Sequence, residues 1–148
     1  MIFLLKIFPI SKENLVKKTM LISYISTSNF PSQQANLVNV MNMCYSLIEN
    51  QNKLYLFLKT ASYKKNSILK KQLIKDFGLT KINNIILFKF FNVYGMSIFY
   101  SLYCSIKTFF LNVNFCFSRD PIAAYFCCIL KIPVILELHA PINKLPKI

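Results

Sequence analysis

The sequence predicts a doubly wound α/β domain, a mostly parallel sheet with helices on both faces and strand order 3-2-1-4-5. Three observations carry the prediction. Apolar runs at residues 20–26, 54–58, 85–90, 115–118 and 134–138 alternate with helical patterns. No hairpin signal joins one run directly to the next, and strands connected through helices lie parallel in right-handed crossovers. The last strand–helix–strand unit, residues 114–139, reads NFCFSRDPIAAYFCCILKIPVILELH. It sets the only Arg and the only His of the chain, Arg119 and His139, at the carboxyl ends of strands, where parallel sheets bind ligands.

Each element has a local reason. Residues 1–17 do not fit the alternation and read as an amphipathic arm or an upstream extension, with Met20 as the original start. The opening MIFLLKIF is apolar, but Pro9 stops it short of a membrane span, and it lacks the cleavage site of a signal peptide. The domain proper then covers residues 18–148. MLISYIS is a buried strand, followed by the polar loop TSNFPS, in which Ser32 can cap the next helix. From residue 33 to 50, Leu37, Val40, Met41, Cys44, Leu47 and Ile48 recur at helical spacing. Asn50-Gln51-Asn52 is a turn. Residues 59–81 hold seven lysines and one acid, Asp76, and read as a solvated helix over about residues 67–77 closed by Gly78.

Residues 95–110 form a two-faced helix. Phe99, Leu102, Tyr103, Ile106 and Phe110 make one face, while Ser97, Ser101, Ser105 and Thr108 make another that permits close packing on a neighbour. With its flanks, residues 94–117, the stretch has the length of a bilayer span, which keeps a small integral membrane protein as the rival reading. Lys107 near its middle argues for the soluble helix instead, since it costs about 2.5–3.5 kcal/mol in lipid. In the final unit, Asp120 caps the helix and Pro121 occupies its first position, where a missing N–H costs nothing.

Composition excludes several function classes. At 148 residues there is room for one domain with a real core. Apolar residues at 55%, with 14 Phe and 8 Tyr, exclude disorder. Two glycines exclude a glycine-rich phosphate loop. The net charge of +13 comes from 17 Lys and one Arg. Lysine beside abundant Asn, Ile and Phe is also what the bias of an AT-rich genome would give, so the charge is weak evidence for a nucleic-acid partner. Without Arg, the fork that reads phosphate and guanine, nucleic acid is an unlikely partner. An anionic membrane surface suits the lysines better, and with it a cytoplasmic, peripheral location. Five cysteines without a CxxC, four of them in apolar runs, read as buried hydrophobes of a reducing compartment, and no metal site is expected.

Four segments resemble the N-terminal, acceptor-side domain of family-four-like glycosyltransferases, enzymes with two facing Rossmann-like domains. They are MLISYIS with TSNFPSQQA, LVNVMNMCYSLIENQNKLYLFLK, FCFSRDP and PVILELH. The similarity covers about residues 18–145, and its last two pieces are specific only as a pair. Three departures stand against it. The Gly-Gly pair after the first strand is missing, and the Gly-His-Glu turn is Gln51-Asn52-Lys53. The sequence also stops at Ile148, before the donor domain with its acidic pair and glycine-rich loop.

The resemblance implies that His139 lines the cleft near the transferred sugar; the alternative is a polar cap on the strand end. Glu137, two residues earlier and so on the same face, orients the imidazole or pairs with a lysine. Arg119 holds an anionic acceptor, or else pairs with Asp120 or Glu137. Asn29, Ser32 and Gln33, in the first crevice loop, offer hydrogen bonds to sugar hydroxyls. The expected function is the acceptor-binding half of a sugar-nucleotide-dependent glycosyltransferase acting on a glycan or lipid-linked saccharide, inactive alone. No cofactor is expected in this chain, and the nucleotide-sugar donor belongs to the missing domain. A non-catalytic, flavodoxin-like binding module is the remaining alternative.

Overall fold

The computed structural model describes residues 2–4, 19–31, 35–49, 52–60, 62, 65–78, 84–89 and 95–138. In chain order the elements are β1 (Ile2–Leu4), β2 (Leu21–Asn29), α1 (Ala35–Glu49), β3 (Lys53–Thr60), α2 (Asn66–Phe77), β4 (Asn84–Lys89), α3 (Met96–Phe110), β5 (Phe115–Ser118), α4 (Pro121–Ile129) and β6 (Val134–Glu137). They form one sheet in the order β1-β6-β5-β2-β3-β4. Strands β2 to β6 pair parallel throughout. Counted from β2, their order is the expected 3-2-1-4-5. The chain winds outward from β2 through β3 to β4, then crosses back to β5 and β6. The switch point therefore lies between β2 and β5.

Alternation along the strands divides the core in two. Ile22, Tyr24, Leu54, Leu56, Leu58 and Phe117 pack against α1 and α2. Ile25, Phe57, Cys116 and Val134 pack against α3 and α4. The α1 stripe is the one its period predicts, with Leu37, Val40, Met41, Cys44 and Ile48 buried.

Three features add to or differ from the expectations. Residues 2–4 are an edge strand, with Ile2 opposite Glu137 and Leu4 opposite Ile135 in antiparallel register. A three-residue strand gives no period to read, and the rest of residues 1–17 lies outside the described residues. Second, β2 runs on to Asn29, through part of the expected loop. Ile25 pairs with Phe57 and Asn29 with Lys59, so four steps of β2 match two of β3 and the strand bulges. Bulges of this kind aim groups at a sheet rim. Phe30 then turns into the first core, 2% exposed, and its N–H donates to Lys59 O at 2.9 Å. Third, no helix among the described residues is long and apolar enough to cross a membrane. α3 ends at Phe110, the chain turns through Asn112 in the left-handed region, and residues 115–118 are a strand. Residues 95–118 thus form a helix, a turn and a strand, and not one helix of span length.

α3 is two-faced as expected, and its polar face is the inner one. Tyr100, Ser101, Cys104, Ser105 and Thr108 are buried, while Phe99, Leu102, Ile106, Phe109 and Phe110 are exposed. Small hydroxyl residues let the helix settle closely on the sheet and on α4. Ser105 Oγ lies 2.8 Å from Ser101 O and 3.0 Å from Ala123 O on α4. Ser101 Oγ lies 2.8 Å from Ser97 O and 2.5 Å from Asp120 Oδ2. With one proton to give, it favours the charged acceptor.

Two caps stand where the sequence places them. Asp120 Oδ1 accepts from Ile122 N at 3.0 Å, with Pro121 at the first helical position. Gly78, at φ 66°, closes α2 by donating to Ile74 O. The Asp120 cap and its bond from Ser101 together set the entry of α4 against α3. Asp120→Ala is expected to cost about 3 kcal/mol in urea unfolding. Asp120→Asn keeps a capping oxygen and is expected to lose less.

Candidate functional site

The carboxyl ends of β2, β5 and β6 meet at one rim, beside the switch point where doubly wound sheets ordinarily bind their ligands. Two polar clusters stand on it, one on each face of the sheet.

On the α1 side, Glu137 at the end of β6 faces Arg119, just past β5. Arg119 Nε lies 3.5 Å from Glu137 Oε2, and the two side chains are 5% and 16% exposed. Tyr24, fully buried on β2, donates its hydroxyl to the same Oε2 at 3.2 Å. Burial and the neighbouring carboxylate push the Tyr24 phenol up, so it stays a donor. Arg119 Nη1 also donates to Asn36 O on α1 at 3.1 Å, and its backbone N–H to Ile25 O at 2.9 Å. The sequence placed Arg119 and Glu137 on this rim, and they meet as the ion pair weighed there. It gave no signal for Tyr24, which reads as one more aromatic of an apolar strand.

On the α3 side stands Lys59, which the sequence counted among surface lysines. It is the seventh residue of β3 and only 6% exposed. Its Nζ donates to Ser97 Oγ at 3.3 Å and lies 4.8 Å from the Tyr100 ring centroid. Burial lowers its pKa, while the Asp120 charge acts the other way. Tyr100 is fully buried and donates to Ser26 O, in the β2 bulge, at 2.6 Å. A lysine inside the run LYLFLKT was the available signal, since a strand covered on both faces has no outward side for it.

The remaining expected site residues are placed as follows. Asn29 is exposed at the last position of β2. Ser32, Gln33 and His139 lie outside the described residues. Asp120 is the cap, as weighed. Cys44, Cys104, Cys116 and Cys127 are buried and Cys128 is half-buried. Burial raises Cys44 and Cys104; Cys116 is raised first by its hydrogen bond to Cys127 and then by burial. No group of three potential metal ligands occurs among the described residues.

The rim thus holds a largely buried guanidinium–carboxylate pair past β5 and at the end of β6, and an exposed Asn29 at the end of β2. The fold defines the class: a Rossmann-like, doubly wound α/β domain with its switch point between β2 and β5. Compared with known proteins, the chain matches no family model, and no curated protein or solved structure is similar enough to count as a match.

Two outcomes follow from the geometry. Arg119→Met strands a largely buried carboxylate and is expected to cost about 3 kcal/mol in urea unfolding. The triple variant Tyr24→Phe/Arg119→Met/Glu137→Leu removes every charged or hydroxyl group of the cluster and is expected to recover most of that loss. For Lys59, the unfolded chain holds its proton up to the ordinary value of 10.5, above the lowered native value. Between the two values unfolding takes up a proton, so this group's contribution to stability rises with pH. The urea midpoint of the wild type is expected to gain on that of Lys59→Met as pH climbs through this window.

Proposed function

We propose that this chain is the acceptor-side half of a two-domain, sugar-nucleotide-dependent glycosyltransferase. The observation that carries the reading is the β2–β5 switch point, whose rim collects Asn29, Arg119 and Glu137. The strand-end segments that resemble the family supply those last two residues. In this reading the acceptor is a sugar or a lipid-linked saccharide. Its hydroxyls bond to Asn29 and to the backbone of the crevice, while the Arg119–Glu137 pair keeps the rim rigid. His139 follows Glu137 by two residues and is the candidate to act at the transferred sugar.

The nucleotide-sugar donor is held by a second domain. Closure of the two domains brings donor to acceptor and excludes water, so orientation supplies much of the rate. The 148-residue chain alone is then inactive as a transferase.

A second reading is a non-catalytic, flavodoxin-like binding module. It is favoured by the same ion pair, because an Arg119 side chain 5% exposed has little guanidinium left for an acceptor.

Amide chemical shifts of the 15N-labelled chain distinguish the two. Titration with free hexoses and N-acetylhexosamines is expected to move the Asn29, Arg119 and Glu137 signals. Nucleotide sugars are expected to move them no further than the sugar alone does. Shifts at these amides with FMN or a free nucleotide, and none with sugars, would establish the binding module instead. Sugar transfer by the chain alone would overturn the division into halves.

A further inference from the structure

The outer face of α3 and α4 is the most unusual surface of the molecule. Thirteen large hydrophobic residues are exposed among the described residues, and nine of them sit on these two helices: Ile98, Phe99, Leu102, Ile106, Phe109, Phe110, Ile122, Tyr125 and Ile129. Phe99 is 65% exposed, Phe110 77% and Tyr125 61%. A helix laid on a sheet ordinarily turns its polar stripe to water. Here α3 turns its hydroxyls inward, and α4 has no charged residue at all. The two helices pack side by side, with Ser105 Oγ bonded to Ala123 O across their contact. Their apolar faces therefore adjoin, and a patch of this extent marks an interaction surface.

Charge says what covers it. From Gly95 to Pro133 the only carboxylate is Asp120, which is buried. Lys107 on α3 and Lys131 after α4 are both exposed. A symmetric contact between two copies would bring these lysines, on chains of net charge +13, together with no exposed carboxylate on the helices to pair with. An anionic bilayer surface accepts both features: apolar and aromatic side chains enter the headgroup boundary, and the ammonium groups stay at phosphate level. We infer that the α3–α4 face is a monotopic docking surface for anionic membrane. It is a different surface from α2, whose lysines make the charge-rich helix, because α2 lies across the sheet against the other core. The inference stands apart from the proposed sugar chemistry at the rim.

Vesicle flotation tests it, with phosphatidylcholine alone and phosphatidylcholine mixed with phosphatidylglycerol. The wild type is expected to float with the mixed vesicles and much less with the neutral ones. Phe99→Ser and Phe110→Ser change exposed positions, so folding should survive, which circular dichroism checks. Each is expected to weaken binding by about tenfold, the loss for withdrawing one aromatic side chain. Lys107→Gln/Lys131→Gln should weaken it and flatten its salt dependence. Lys70→Gln/Lys71→Gln on α2 should leave it unchanged. Three results would each overturn the inference: no flotation of the wild type, equal flotation of the phenylalanine variants, or a loss as large from the α2 pair. A dimer in sedimentation that the same phenylalanine substitutions dissociate would assign the face to a second copy instead.

Discussion

One carboxylate organises the carboxyl rim. Asp120 leaves β5 and starts α4, and its two oxygens are divided between two elements. One oxygen accepts the first free amide of α4, at Ile122, and the other accepts the Ser101 hydroxyl from the middle of α3. Its own backbone is held as well: the N–H donates to Ser118 Oγ, and that hydroxyl lies 2.9 Å from Asp120 O. Its charge reaches Lys59 on β3 and partly offsets the burial of that ammonium. A strand, two helices and a buried cation therefore depend on one side chain. An anion at 3% exposure is tolerable because the Ser101 hydroxyl and the Ile122 amide both donate to it.

The β2 bulge is the second fixed point. Its extra residues free Ser26 O from the ladder, and Tyr100 fills the vacancy from α3. The bulge and Asp120 thus pin the same turn of α3, through the adjacent Tyr100 and Ser101. On the other side of the sheet, Tyr24, Arg119 and Glu137 tie β2, β5 and β6 together. The rim is bounded by groups that hold one another in place.

Much of this was legible in the residues. The five parallel strands, their order and the capped start of α4 followed from apolar runs, helical spacing and the Asp-Pro pair. The short edge strand was not, because three residues carry no period. The extent of β2 was missed because TSN is turn chemistry by composition, and only pairing with β3 and the hydroxyl bonds between Ser26 and Ser28 keep it extended. Helical spacing separated the two faces of α3 but could not say which one met the sheet; bonds to Ala123 and Asp120, remote in sequence, decide that. The same holds for the site. Arg119 and Glu137 stood out as rare charges at strand ends, whereas Tyr24 and Lys59 acquire their roles only from neighbours brought by folding.

The pairing of β1 with β6 has a consequence for how the sheet closes. Ile2 lies opposite Glu137, so this contact joins two segments far apart in sequence. The other strand pairs, β2 with β3 and β3 with β4, close over much shorter separations. A contact of such long range closes late because its loop entropy is largest. Once formed, it covers the β6 edge, which would otherwise offer unpaired amides to a neighbouring chain. Until then that edge is adhesive, and the folding domain is open to strand exchange there.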